Sequence, residues 1–245
     1  MSGSSNDGRL QMAQAAAARG RGRPRAGEGL DLTHLLRGAL DAFAESGYDG
    51  TSVRELARRL GVSHALLTAR FGSKEGLWFA AMEHALTLIE PAWRDSARSP
   101  ELDDLDALRG AIIEQVLFSA AYPQVLRIMN HEGAIDSPRV RFVIERFTNP
   151  LRPGVEALLS RLVDAGRIRH VPYATLHYLV VAGGGTLYAN PVEAALLGAP
   201  AHPDTDTVRA HAETVADMLI AGITATPPPP GKRVSLTATT STAAP

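Results

Sequence analysis

Hydroxyl and cationic side chains recur at short intervals between Ser52 and Lys74. Hydroxyls and helix starts can bind phosphate oxygens, and arginine and lysine add charge and several hydrogen-bond donors. Outward side chains on one short helix can also reach base edges in a DNA groove. This chemistry indicates a DNA contact set, whose members are Ser52, Arg54, Ser63, His64, Ala65, Leu66, Thr68, Arg70 and Lys74.

Two short helices joined by a tight turn would position these side chains. Ser52 and Glu55 have the spacing of a capping box, in which the hydroxyl caps the first turn and Glu55 reaches back to the Ser52 amide. Gly61 suits the left-handed conformation that ends the first helix, and Ser63 can cap the second helix. The pattern therefore predicts a helix-turn-helix over this segment.

The second helix has a buried edge and an exposed face. Leu67 and Phe71 are four residues apart and should point into the core. His64, Ala65 and Thr68 then point outward, where a recognition helix meets the major groove. The same caps and glycine also fit a helical hairpin that does not bind DNA, so the neighbouring segments decide.

The flanking helices carry a family resemblance. An apolar stripe from Leu32 to Phe43 precedes the pair, and a further apolar helix begins at Gly72-Ser73-Lys74-Glu75. The order Gly-Tyr-x-x-Thr-Ser-Val-Arg-Glu-Leu-Ala, Gly-Val-Ser, Phe-Gly-Ser-Lys-Glu-Gly-Leu resembles the TetR family of bacterial transcriptional regulators over roughly residues 30–90. The resemblance implies an all-α protein with an N-terminal three-helix bundle containing the helix-turn-helix, followed by a larger helical domain for ligand binding and dimerisation.

The recognition helix departs from the family pattern at two aromatic positions. Thr68 stands where the family has a tyrosine that meets DNA, and Arg70 stands where the second ring is expected. Threonine can donate to a phosphate or offer its methyl group to thymine, and Leu66 can touch a thymine methyl. The resemblance therefore indicates how the protein docks on DNA and leaves the operator sequence open.

Length and composition agree with a two-domain protein. The chain has 245 residues and a net charge of −1, so DNA binding must depend on local positive charge. The predicted parts are a basic arm at 1–27, the DNA-binding domain at 28–90, a helical regulatory domain at 91–224 and a disordered tail at 225–245.

Other chemistries find little support in the sequence. The chain has no cysteine, its eight histidines are scattered, and it contains no paired metal-ligand or phosphate-loop motif. We expect no catalytic residues, no metal, no cofactor and no enzymatic activity. No apolar run is long enough to span a membrane and no signal-peptide pattern occurs, so a cytoplasmic location without membrane contact is expected.

The expected partners are double-stranded DNA, a small-molecule effector and a second copy of the chain. Apolar side chains with a few polar groups are typical of an effector pocket, and ordinary core packing explains any one of them equally well. The candidates are Trp93, Tyr122, Met129, Asn130, His131, Glu132 and Phe142. His177 and Tyr178 could contact the effector or the partner copy.

Helical patterns continue through the regulatory half. A long helix is predicted from Pro138 to Ala165, with a bend or break near Asn149 because prolines follow it. The resemblance implies that the last two helices, Thr175 to Asn190 and Thr207 to Ile223, pack with their copies as a four-helix bundle. Three glycines at 183–185 indicate close approach of another helix, with a helix break as the alternative.

These patterns predict a ligand-responsive transcriptional regulator. Repression is the default that the resemblance implies, with a dimer on a palindromic operator that a small molecule releases. The alternative, suggested by the two missing rings, is a helical ligand-carrying or protein-interaction dimer that has lost specific DNA binding. The effector and the regulated genes are not encoded in any recognisable pattern.

An N-terminal arm carries a separate prediction. Arg21, Arg23 and Arg25 alternate with glycine and proline, which keep the segment thin and extended. Arginines of this kind can enter a narrow A·T-rich minor groove, and the alternative is a solvated tail that raises affinity only through counterion release.

Deleting residues 1–26 should weaken binding most where A·T pairs flank the half-sites, as measured by mobility shift on matched A·T-flanked and G·C-flanked DNA. An equal loss on both would favour the solvated tail.

Overall fold

A computed structural model of the protein describes residues 31–89, Pro91 and 103–224. The helices are α1 Leu32–Gly50, α2 Val53–Arg59, α3 His64–Phe71, α4 Lys74–Leu86, α5 Asp104–Ala121, α6 Pro123–Glu132, α7 Pro138–Val143, α8 Asn149–Asp164, α9 Tyr173–Tyr178, α10 Gly184–Ala189, α11 Pro191–Leu196 and α12 Thr205–Thr224. The described ranges contain no strand, and the all-α prediction is confirmed. None of their helices is long and apolar enough to cross a lipid bilayer.

Serine caps set the starts of three consecutive helices in the headpiece, which comprises α1 to α4. The hydroxyl oxygens of Ser52, Ser63 and Ser73 accept hydrogen bonds from backbone amides three residues later, at 3.4, 3.1 and 2.9 Å. Gly61 and Gly72 end α2 and α3 with φ of 68° and 74°, which other residues rarely adopt. Local sequence therefore fixes where the recognition helix, α3, begins and ends.

One of the two hydrogen bonds predicted for the capping box does not form. The Glu55 carboxylate does not reach back to Ser52 but accepts two hydrogen bonds from the Arg58 guanidinium. A charge-assisted, two-pronged bond to arginine outcompetes a single bond to a neutral amide. Glu55 consequently neutralises a cation on the surface of α2.

The headpiece core extends into the regulatory half. Leu40, Phe43 and Trp78 are almost completely buried between α1 and α4. Tyr122, which directly precedes α6, and Ile128 of α6 belong to the same apolar cluster. Helix α6 therefore packs against the headpiece and completes its core.

The predicted long helix runs without a break but changes its winding. A π-helical segment, Ile144–Thr148, joins α7 to α8 directly before Pro150. Proline lacks an amide hydrogen and clashes with the preceding turn, so a locally wider turn can accommodate it. The helix ends at Asp164, and Gly166 follows with φ of 66°.

The triple glycine allows two helices of the same chain to touch. A second π-helical segment, Leu179–Gly183, joins α9 to α10, so the three glycines are helical and do not form a loop. A Cβ atom on Gly184 would lie 2.6 Å from Val116 Cγ2, and one on Gly185 would lie 2.9 Å from Ser119 Oγ. Close contact with α5 thus offsets the poor helix propensity of glycine.

Two further elements complete the regulatory half. The Asp103 carboxylate accepts from the Leu105 amide at 2.9 Å and caps α5, which starts at Asp104. The short helix α11 was not anticipated, because six residues give too little periodicity to recognise. Its Val192 and Leu196 side chains are exposed.

Substituting Gly184 by alanine should lower the free energy of unfolding by about 1–3 kcal/mol, because the new methyl group overpacks the contact with α5. Gly110→Ala is the matched control, since a Cβ there meets nothing within 4 Å. The control should raise stability by up to about 1 kcal/mol through helix propensity. Urea unfolding measures both changes. Equal stabilisation by the two substitutions would contradict the close-contact explanation.

Candidate DNA interface and effector cavity

The recognition helix presents an exposed face held by one buried anchor. Leu67 is 2% exposed and fixes α3 against the headpiece core. The neighbouring side chains that face solvent are His64, Ala65, Leu66, Thr68, Ala69 and Arg70. α3 therefore offers hydrogen-bond donors, a cation and small apolar groups on one accessible surface.

A shallow cleft brings several of the predicted DNA contacts together. His64, Thr68, Ser73 and Lys74 line this cleft of about 230 Å³ with Val53 at its edge. The Thr68 hydroxyl donates to the His64 carbonyl at 3.1 Å, and its oxygen remains able to accept. The outer face of α3 is thus continuous with the start of α4.

Lys74 has partners inside the headpiece that its motif did not reveal. Its ammonium donates to the Asp49 carbonyl at 3.3 Å and lies 4.5 Å from the centre of the Tyr48 ring. These contacts join the start of α4 to the end of α1. A phosphate contact from Lys74 would have to coexist with them.

The headpiece arginines differ in how far their charge is neutralised. Arg58 pairs with Glu55, and Arg59 lies 2.9 Å from Glu45. The hydrogen bond from Arg58 holds the pKa of the Glu55 carboxyl below its usual value. Within the described ranges, no acidic side chain pairs with Arg54. The same holds for Arg70, so these two cations remain available to phosphates.

Some predicted contacts lie outside the described residues. They are Arg21, Arg23 and Arg25 of the arm and Trp93 of the effector set.

A second feature of the molecule is a cavity of about 600 Å³ in the regulatory half. Aliphatic and aromatic side chains of α5 to α9 and of the two π-helical segments form most of its wall, together with Leu86 at the end of α4, and the polar members are Gln115, Asn130, Thr148, Tyr173, His177 and Tyr178. A largely apolar cavity with a few polar groups suits a drug-sized molecule.

Of the predicted effector residues, Met129 and Asn130 line this cavity. Tyr122 does not: it is 8% exposed and packs between Phe118 and Arg37. Its ring belongs to the apolar cluster of the headpiece instead.

Three further predicted effector residues also lie elsewhere. Phe142 packs on Phe79 of α4, with ring centres 4.6 Å apart. Glu132 is buried in a hydrogen-bonded ion pair with Arg139, and His131 is exposed to solvent. Each of these residues is next in sequence to a residue of the cavity wall but lies on another face of its helix, and sequence spacing alone did not define which face was inward.

His177 is a titratable group in the cavity wall whose pKa is shifted by burial. Burial lowers the pKa of its imidazole, so the ring is neutral near pH 7. A neutral imidazole offers one donor and one acceptor. Sequence reasoning did not select Ile112, Gln115 or Leu176, which also line the cavity, although the apolar stripe of α5 could have indicated the first.

Comparison with known proteins agrees with this architecture. The family model described as bacterial regulatory proteins, tetR family, matches residues 35–81. The chain is 30% identical over 153 residues to the HTH-type transcriptional repressor AcnR of Corynebacterium diphtheriae, covering 58% of this chain and 71% of AcnR. The protein belongs to the TetR family.

Solved structures show the same fold in TetR-like proteins. A putative fatty acid metabolism regulator of Clostridium perfringens matches with a TM-score of 0.62 and 16% identity, over 78% of this chain and 96% of that one. AibR, solved with isovaleryl coenzyme A and operator DNA, matches with a TM-score of 0.54 and 19% identity, over 78% and 98%. The family model and the similarity to AcnR together show that the chain is a DNA-binding transcriptional regulator.

Arg54→Ala and Arg70→Ala should each weaken DNA binding and reduce the salt dependence of the logarithm of affinity by about one unit, because each removes an available phosphate contact. Arg59→Ala removes the same formal charge, but Glu45 already neutralises it, so its effect should be smaller. Fluorescence anisotropy with DNA from upstream of the protein's own gene, across a KCl series, measures the three slopes. A loss for Arg59→Ala as large as for Arg54→Ala would show that pairing does not decide the interface.

Proposed function

We propose that the protein is a homodimeric repressor that a small, largely apolar effector releases from a palindromic operator. The observation that carries the proposal is the cavity of about 600 Å³ directly behind the headpiece. Two similar proteins support it: AcnR is a transcriptional repressor, and AibR was crystallised with both isovaleryl coenzyme A and operator DNA.

The dimer would form through two helical segments, the one that runs from α9 to α10 and α12. Tyr178 and Leu179 are 70% and 49% exposed, and Met218 on α12 is 71% exposed. Large apolar side chains left in solvent on adjacent helices favour burial against a second copy. A two-fold dimer also places two recognition helices for two half-sites, about 34 Å apart on one face of DNA.

The effector would be held mainly by apolar contact and oriented by a few polar groups. The neutral imidazole of His177 and the amide of Asn130 supply donors and acceptors in the wall. We propose that these groups bind an uncharged polar end of the molecule, because a fixed charge would lose its hydration there.

Release would follow from a difference in effector affinity between two arrangements of the dimer. An effector that fits the cavity only when the heads leave their DNA-binding separation shifts the population toward that state. Contacts at both half-sites then weaken together.

We also propose that the chain divides into a DNA-binding domain at residues 28–90 and a regulatory domain at 91–224. In this proposal the N-terminal arm assists DNA binding, and the protein is cytoplasmic.

The protein should produce a salt-sensitive mobility shift with DNA from around its own gene, and a compound that raises its Tm should release that DNA. Ala182→Trp fills the cavity from its α9 to α10 side and should abolish the thermal response to that compound. Ala157→Trp is the matched control, because Ala157 is exposed on α8 and does not line the cavity.

Two results would count against the proposal. No specific shift on any flanking promoter fragment would refute operator binding at this locus. A compound that still stabilises Ala182→Trp as strongly as the parent would place its binding site outside the cavity.

A further inference from the structure

The turn between α6 and α7 touches both the cavity and the headpiece. Asn130, Gly133 and Ala134 belong to the cavity wall. Arg139, five residues beyond Ala134, makes its contacts with the headpiece instead. A short piece of chain therefore connects the proposed effector site to the DNA-binding half.

Glu132 fixes the position of Arg139 within the regulatory half. Its carboxylate accepts from the Arg139 Nε at 2.9 Å and from the Ser137 hydroxyl at 2.9 Å. The Ser137 oxygen also accepts from the Val140 amide at 3.2 Å, which caps α7. The Glu132 and Arg139 side chains are only 6% and 14% exposed, so water competes little for these charge-assisted bonds.

The other side of the same guanidinium faces the headpiece. It lies 3.7 Å from the centre of the Tyr48 ring near the end of α1, and its Nη1 lies 3.5 Å from the Glu75 carboxylate on α4. Lys74 also lies 4.5 Å from that ring, so two cations contact Tyr48. Arg139 is thus bonded to α6, α1 and α4 at once.

The start of α4 is rigidly joined to the recognition helix. A Cβ atom on Gly76 would lie only 2.1 Å from the Phe71 carbonyl oxygen, which shows how tightly the corner between α3 and α4 is closed. The Ser73 cap and the Lys74 bond to Asp49 hold the same corner. A displacement of the first turn of α4 would therefore move α3 with it.

We propose that Arg139 is the positioning residue that transmits occupancy of the cavity to the recognition helix. This inference rests on the effector mechanism proposed above and names its route. A molecule that displaces the α6 to α7 turn also displaces Glu132 and α7, and Arg139 carries that displacement to Tyr48 and Glu75. Removing Arg139 leaves the apolar contact between α1 and α6, but the angle of the headpiece no longer follows the turn.

The absence of cysteine in the chain allows a direct measurement of the head angle. Ser46→Cys on α1 and Ser160→Cys on α8 place two nitroxide labels at exposed positions. Double electron-electron resonance then gives the distance from headpiece to regulatory half, with labelled chains diluted in unlabelled protein. Ala182→Trp serves as a built-in occupant of the cavity, and N-phenyl-1-naphthylamine, a neutral apolar fluorophore, serves as a second occupant that requires no substitution.

The variants separate the contact of Arg139 from its charge. Arg139→Gln removes the ion pairs and the ring contact, and Arg139→Lys keeps the charge. Arg141→Gln is the matched control, because Arg141 lies on the same helix but pairs with Asp136, and both side chains are largely exposed. Thermal unfolding of each variant reports any general loss of stability.

Occupancy of the cavity should shift the mean distance between the two nitroxide labels by about 2 Å in the parent protein and in Arg141→Gln. In Arg139→Gln the shift should fall to less than half of that value, and Arg139→Lys should recover part of it. A purely structural role would lower the Tm of Arg139→Gln and leave the shift unchanged.

The contrary results distinguish this inference from the proposed function. Equal shifts in the parent and in Arg139→Gln would overturn the role of Arg139 and leave the effector mechanism in place. If neither occupant shifts the distance in the parent, the effector mechanism itself fails and the role of Arg139 fails with it.

Discussion

The packing of α6 on two different neighbours constrains the whole protein. Its Val125 and Ile128 side chains complete the headpiece core, while Leu126 and Met129 form part of the cavity wall. Protein interiors are packed as densely as organic crystals, so a helix in this position cannot adjust to one neighbour without disturbing the other. In the proposed mechanism, communication between the cavity and the DNA surface would use this close packing, and the Glu132–Arg139 ion pair would define its direction.

At the candidate DNA interface, the positions of unpaired arginines matter more than the net charge of the chain. The net charge of the whole protein is −1, and two headpiece arginines, Arg58 and Arg59, are already neutralised by glutamates. Arg54 and Arg70 flank the exposed face of α3 without such partners in the described part of the chain. Non-specific attraction of the headpiece to DNA is then modest, and in the proposed dimer selectivity would come from the base contacts of the two headpieces.

The headpiece was predictable because its signals act over three or four residues. Ser63 caps α3, Gly61 adopts the left-handed turn, and Leu67 is buried, as their types and spacing indicated. Glu55 shows the limit of such reasoning. Two partners were within reach of its carboxylate, the Ser52 amide and the Arg58 guanidinium, and the spacing rule named the weaker one.

The sequence by itself determined the helical composition, the helix-turn-helix and the family, since each depends on neighbours along the chain. Only the tertiary structure decided that Met129 lines the cavity while Phe142 does not, and that Gly184 and Gly185 lie against α5. It also decided that Glu132 holds Arg139 beside Tyr48. These contacts join residues from different helices, and helical periodicity gives the face of a helix without naming the surface it meets.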